Sequence, residues 1–217
     1  MTLGEQFDMV DPLYYHKEAL MELGGLFYDW GWSFGTSSNY SMVVGENPLR
    51  LLITASGKDK GSLEPDDFVV VDDKGQPTET VPGKPSAETM IHVMLAQRPN
   101  VASILHTHSV WGTMLSQIHA DDGGFFIEGY EMLKGLQGVK THDHKEWVSI
   151  FPNTQNIPTL AQDIQKFLDT DPRGQHAHGL LIQGHGLYTW GKDLQEAQRH
   201  IEIFEFLFEV VARLKTR

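Results

Sequence analysis

Two histidines separated by one residue close a short apolar run, Ile104-Leu105-His106-Thr107-His108-Ser109. If Val101 to Leu105 form a buried strand, side chains alternate between its faces, so His106 and His108 leave the core on the same side. Two imidazoles on one face are half of a metal site. His185, in Gly184-His185-Gly186 at the end of Leu180-Leu181-Ile182-Gln183, could add a third nitrogen. Three such nitrogens suit a catalytic zinc with one position left open. Spacing alone leaves alternatives standing: His106 and His108 as ordinary partly buried histidines, and His185 as a bystander in a tight hairpin. Two further His-X-His pairs lie in polar surroundings, His142/His144 beside Asp143 and Lys145 and His176/His178 after Asp171-Pro172-Arg173-Gly174. Both read as solvated loop histidines.

Carboxylates come next, because a metal-bound ketone needs a general base for the proton alpha to its carbonyl. Glu88 falls in the first turn of an expected helix, where a favourable charge for the helix dipole is the ordinary role and a carboxylate aimed at a metal the functional one. Glu128 and Glu131 sit in a glycine-flanked segment, either as exposed acids or as that base. Thr36-Ser37-Ser38-Asn39, Ser56-Gly57-Lys58 and Pro85-Ser86 offer hydroxyls and unobstructed N–H groups that together could cradle a phosphate. Each alone is also ordinary turn chemistry. Neither a Walker loop nor a Gly-x-Gly-x-x-Gly fingerprint is present, so nothing supports nucleotide binding.

These residues need elements to position them. Asp11-Pro12 is an N-cap and N1 pair that opens a first helix, which Gly24-Gly25 would strain before aromatic residues carry it toward Trp32. Strands are expected at residues 40–44, 51–54 and 68–71, with short connections that favour antiparallel neighbours. Pro85-Ser86 starts a helix with Ala87, Met90, Ile91, Met94 and Leu95 on one face. Beyond the histidine strand come a helix from about Val110 to His119, a short strand at residues 125–127, and a polar, mostly irregular stretch over residues 140–158. A helix over residues 159–168 follows, then two strands about Gly184-His185-Gly186. A final long helix carries the stripe Ala197, Ile201, Phe204, Phe208 and Val211.

Composition bounds the possibilities. A chain of 217 residues with 40% hydrophobic residues is long enough for one substantial core, and no repeat or linker divides it, so residues 1–217 are expected to form one domain. Without cysteine, a metal must be held by His, Asp, Glu or water, and there are 11 histidines. A formal net charge of −12 argues against nucleic acid or an anionic membrane as partner. No apolar run approaches the roughly 20 residues of a membrane span. Met1 to Gln6 lacks the basic start and apolar stretch of a signal peptide, which makes a cytoplasmic location the expectation.

In order along the chain, Gly35-Thr36-Ser37-Ser38-Asn39-Tyr40-Ser41, Thr54-Ala55-Ser56-Gly57, Pro85-Ser86-Ala87-Glu88, His106-Thr107-His108-Ser109 and Gly184 to Gly191 closely resemble the motifs of the class II aldolase/adducin family. Tyr130 to Gly135, Ile150 to Asn153, Asn156 to Pro158 and Leu187 to Gly191 most resemble its dehydratase branch, which acts on a phosphorylated ketose. The resemblance implies an α/β, single-domain, three-layer αβα fold with a central, largely antiparallel sheet, assembled as a homotetramer with active sites near subunit boundaries. It implies one zinc ion per subunit on His106, His108 and His185, with Glu131 as the catalytic acid/base. Glu88 matches the position that in family aldolases approaches the metal and handles protons. Thr36, Ser38, Asn39, Ser56, Gly57 and Ser86 fall where the family binds substrate phosphate, and Lys58 is added to them on its charge. The alternatives are a sugar-phosphate aldolase or 4-epimerase using the same site, and a non-catalytic adducin-like interaction module.

Overall fold

A computed structural model describes residues 11–78 and 83–215; Met1 to Gln6 lies outside the described residues. Eight strands form one sheet in the order β3-β2-β1-β4-β8-β7-β6-β5. The strands are β1 Asn39–Glu46, β2 Leu49–Thr54, β3 Phe68–Val71, β4 Ser103–Thr107, β5 Gly124–Glu128, β6 Lys145–Phe151, β7 Gly179–Ile182 and β8 Gly186–Gly191. Neighbours are antiparallel except β6 and β7, which run parallel. The largely antiparallel expectation therefore holds.

Side-chain alternation splits the core into two apolar layers. Leu52, Leu105 and Leu181 face α1 Tyr14–Asp29, α3 Val110–Ile118 and α5 Leu194–Lys215, while Leu51, Ile53, Ile104 and Leu180 face α2 Thr89–Ala96 and α4 Ile157–Thr170. Helices on both faces of one sheet make the three layers expected. No helix among the described residues is long and apolar enough to cross a membrane.

Three local expectations need correction. The first helix starts at Tyr14, because the Asp11 carboxylate accepts from the Leu13 N–H at 2.8 Å and spends itself on a turn ahead of the helix. The second begins at Thr89, since Pro85 bridges to Ala55 and the Ser86 hydroxyl accepts from the Glu88 N–H at 3.2 Å. Residues 140–158 contain β6, whose polar first residues hide a strand with Val148, Ser149 and Ile150 buried.

Gly24-Gly25 does not break α1. A Cβ at Gly24 would stand 2.5 Å from the Lys60 carbonyl oxygen, so the missing side chain is what lets the Lys60–Ser62 turn press against the helix.

Candidate active site

His106 lies near the C-terminal end of β4 and is fully buried. Its Nδ1–H donates to the Leu187 carbonyl at 2.9 Å, which leaves Nε2 free as a ligand. Tyr188 stacks on its other side, with ring centroids 4.0 Å apart and planes 16° from parallel. The His108 main chain is held by its N–H bond to the Trp32 carbonyl at 2.8 Å, and its Nε2 stands 2.8 Å from that of His106.

His185 arrives from the β7–β8 turn. Gly184 takes a positive φ of 59° there, and a Cβ at Gly186 would collide with the Thr107 carbonyl oxygen. Flanking glycines therefore bring His185 against β4 for a steric reason. The Thr113 hydroxyl anchors the turn through the His185 carbonyl at 3.2 Å.

The three histidines offer ligand atoms that all lie within 4.8 Å of one another. Burial, reinforced by the neighbouring imidazoles, pushes His106 well below its ordinary pKa and His108 down to about 2. Both are thus neutral at pH 7, as ligation requires.

Glu88, the N-cap residue of α2, aims its carboxylate at this cluster: 3.5 Å to His106 Nε2 and 3.4 Å to His185 Nε2. Asn39 at the start of β1 donates to Glu88 Oε2 at 2.7 Å, and its Oδ1 is bonded by the His92 ring. His92 Nδ1 meets the Ser41 hydroxyl at 2.7 Å, and burial holds that imidazole neutral with a pKa near 4. Glu88 Oε1 is buried with no hydrogen-bond partner. A buried carboxylate oxygen without a hydrogen-bond partner beside imidazole nitrogens fits a divalent ion of the zinc type.

Above the cluster opens a cavity of about 400 Å³. Thr36, Ser38, Asn39, Ser56, Gly57 and Ser86 all line it, together with Glu88, His108 and His185. Residues from three separate loops thus meet at the metal-binding edge. Ser38 adopts the left-handed region at φ 70° and donates through its hydroxyl to the Trp32 carbonyl, the group that also holds His108.

Lys58 is not brought into the cavity; its ammonium turns outward to Asp67 at 2.6 Å. Lys60 lines the wall instead and is 1% exposed. Burial lowers its pKa to about 8, against the pull of Asp59 and Asp67. Asn153, Thr154 and Gln155, ahead of α4, close another side. Sequence reasoning missed Lys60 because a lysine is exposed by default. It noted residues 150–153 and 156–158 for their resemblance and otherwise read this stretch as irregular and polar.

Glu131 opens the short 3-10 turn Glu131–Gly135 and does not line the cavity. It is exposed, paired with Lys134 and 3.2 Å from His142 Nδ1. The Lys134 ammonium, with help from His142, holds its carboxyl below the usual range. Glu128 pairs with Lys145 at 2.5 Å.

The sheet thus carries helices on both faces and a His–Glu cluster at the end of its central strands, the architecture of a metal-binding α/β domain. Residues 18–212 match the family described as class II aldolase and adducin N-terminal domain, and the chain belongs to that family.

Among relatives, it is 46% identical over 202 residues to the methylthioribulose-1-phosphate dehydratase of Pseudomonas syringae pv. tomato, covering 92% of this chain and 95% of that one. The methylthioribulose-1-phosphate dehydratase of Marinobacter nauticus is 43% identical, with 88% and 90% covered. Among solved structures, an L-fuculose 1-phosphate aldolase superposes with a TM-score of 0.75 at 22% identity, covering 92% and 86% of the two chains. A second, from Thermus thermophilus, gives 0.71 at 19% identity, covering 93% and 96%. At such identities the structural matches speak to the fold.

Proposed function

We propose that this chain is a zinc-dependent hydro-lyase. It converts 5-methylthioribulose 1-phosphate to 2,3-diketo-5-methylthiopentyl 1-phosphate, a step of L-methionine salvage, as a cytoplasmic homotetramer with one zinc per subunit. The observation that carries the reading is similarity, over 88–92% of this chain, to dehydratases of that name at 43–46% identity. The pocket's chemistry agrees with it, since a metal-ligand cluster adjoins a cradle of hydroxyls, amides and one buried ammonium suited to a phosphate.

His106, His108 and His185 would hold the metal, which supplies Lewis-acid polarisation of the C2 ketone. The chain's own groups do the rest. Lys60 and the cradle of Ser38, Ser56 and Ser86 bind the phosphate remote from the reacting carbons, and that binding energy holds C3 in place for proton transfer. Glu131 takes the C3 proton and returns it to the C4 hydroxyl, which leaves as water when the C4–O bond breaks. The enol so formed tautomerises to the 2,3-diketone. Asn39, braced by His92, fixes Glu88 beside the histidines that would hold the metal.

Glu131 does not reach the cavity of its own chain. An exposed carboxylate is what a neighbouring subunit's site would receive, which supports assembly with sites at subunit boundaries.

A second reading, a sugar-phosphate aldolase or 4-epimerase, is favoured by Glu88, whose carboxylate already adjoins two of the three histidines. An adducin-like scaffold has no use for a buried, unsatisfied carboxylate oxygen beside three histidines.

Purified protein of measured metal content, offered methylthioribulose 1-phosphate, fuculose 1-phosphate and ribulose 5-phosphate, decides between them by mass spectrometry of the products. Loss of water from the first alone is expected. Triose-phosphate release from fuculose 1-phosphate would overturn the dehydratase reading.

A further inference from the structure

The opposite end of the sheet carries a second cluster that the proposed reaction does not use. Asn100 and Val101, ahead of β4, and Trp190 and Gly191, at the end of β8, border a cavity of about 1030 Å³. His185 follows β7 while His178 precedes it, so the two sites stand at least the length of that strand apart, roughly 13 Å. His144 and His178 line this cavity, and the Glu146 carboxylate, 2% exposed, lies between their imidazoles. Its Oε2 is 2.7 Å from His144 Nε2 and its Oε1 is 2.9 Å from His178 Nδ1. The three ligand atoms lie within 4.8 Å of one another. Each histidine comes from a different pair that reads as solvated loop in the sequence.

We propose that His144, Glu146 and His178 form a second divalent-metal site, independent of the active-site histidines. Two imidazole nitrogens and one carboxylate are a donor set for zinc and similar borderline ions, with a fourth position open to the cavity.

The support behind the ligands carries the argument further than proximity does. His178 donates Nε2–H to the Gln137 carbonyl at 2.7 Å, which turns Nδ1 toward Glu146, as Nδ1–H of His106 on Leu187 turns its Nε2 toward the other cluster. A backbone carbonyl behind a histidine ligand is the usual device that fixes its ring. Gln137 is itself held, because its N–H donates to His200 Nε2 at 3.2 Å while His200 Nδ1–H donates to Trp190 O at 2.9 Å. Without a metal, a proton on His178 Nδ1 bridges to Glu146. A bound metal would displace that proton and join β6 to the start of β7 by coordination.

The test is stoichiometric. Full-length protein stripped with chelator, reloaded with zinc chloride and desalted is expected to retain two zinc ions per chain. His108→Ala should retain one, at the second site. His144→Ala and Glu146→Gln should each retain one and keep catalytic turnover. His144 is 30% exposed, so its truncation leaves a folded chain to measure even if the Glu146 variant fails to fold. A parent that retains one zinc, lost in His108→Ala and kept in His144→Ala, overturns the proposal and leaves a proton-bridged ion network. A second equivalent that survives in both His144→Ala and Glu146→Gln overturns it equally.

Discussion

The Lys60 ammonium donates to the main-chain carbonyl of Lys58 at 2.5 Å, so of two lysines on one loop the later folds under while the earlier turns out to Asp67. Only the inner one can add charge to the cavity. A charge-assisted bond to a phosphate is worth about 1.5–3 kcal/mol, so Lys60→Met should raise KM about 10- to 150-fold with a smaller change in kcat. Lys58→Met removes a surface ion pair and should move KM by less than about twofold. Initial-rate kinetics on the two variants check this, and equal KM values would return the role to neither lysine.

The same burial predicts an alkaline limit. Lys60 carries its charge only below a pKa lowered to about 8. Since kcat/KM reports the free enzyme, it should fall as pH rises through about 8. In Lys60→Arg the guanidinium stays charged, so that limb should vanish whatever the variant's absolute rate. A pH profile with the limb intact would detach Lys60 from substrate binding.

What the sequence displayed and what it concealed divide along physical lines. β4 and the β7–β8 hairpin were legible because apolar runs end in histidines that glycine lets approach, and those features are local. β6 was not, because it opens with Lys145 and Glu146 and its pairing with β7 is made by a distant segment. Lys60 is buried by the close approach of Gly24, some way along the chain, and no local pattern announces that. Glu131 was named as the catalytic acid/base on resemblance alone, and in the structure it is an exposed carboxylate paired with Lys134, outside the lining of the cavity.

Beneath β4, Glu205 of α5 is 2% exposed, with one oxygen accepting from the Thr107 hydroxyl at 3.4 Å and the other unpartnered. Burial, opposed by the nearby Ser109 and Thr107 hydroxyls, raises its pKa from 4.5 to about 7. Below the unfolded value both states hold the proton and nothing is lost. As pH rises toward 7 the unfolded chain gives up a proton that the folded chain keeps, so stability falls and the full loss persists above that pH. Glu205→Gln keeps the acceptor for Thr107 and removes the titration. It should therefore exceed the parent's stability by about 1–3 kcal/mol near pH 8 and match it near pH 4.5. Urea unfolding at the two pH values checks the sign, and a variant less stable at the higher pH would show that the carboxylate is compensated by groups not in contact here.

Glu131 and His108 offer the sharpest test of a site shared between subunits. Glu131→Gln should keep its metal and lose turnover by about 10²- to 10⁴-fold, the usual worth of a general acid/base. His108→Ala should lose activity by losing the metal. If Glu131 serves the cavity of a neighbouring chain, the two inactive variants complement each other. Denatured together and refolded, they form some boundaries that combine an intact His108 with an intact Glu131, about a quarter of the total by random pairing. Activity should then return to about that fraction of the parent's, measured as loss of water from the substrate. If Glu131 instead reaches the histidines of its own chain, no mixed assembly contains a complete site, and the refolded mixture stays as inactive as its parts.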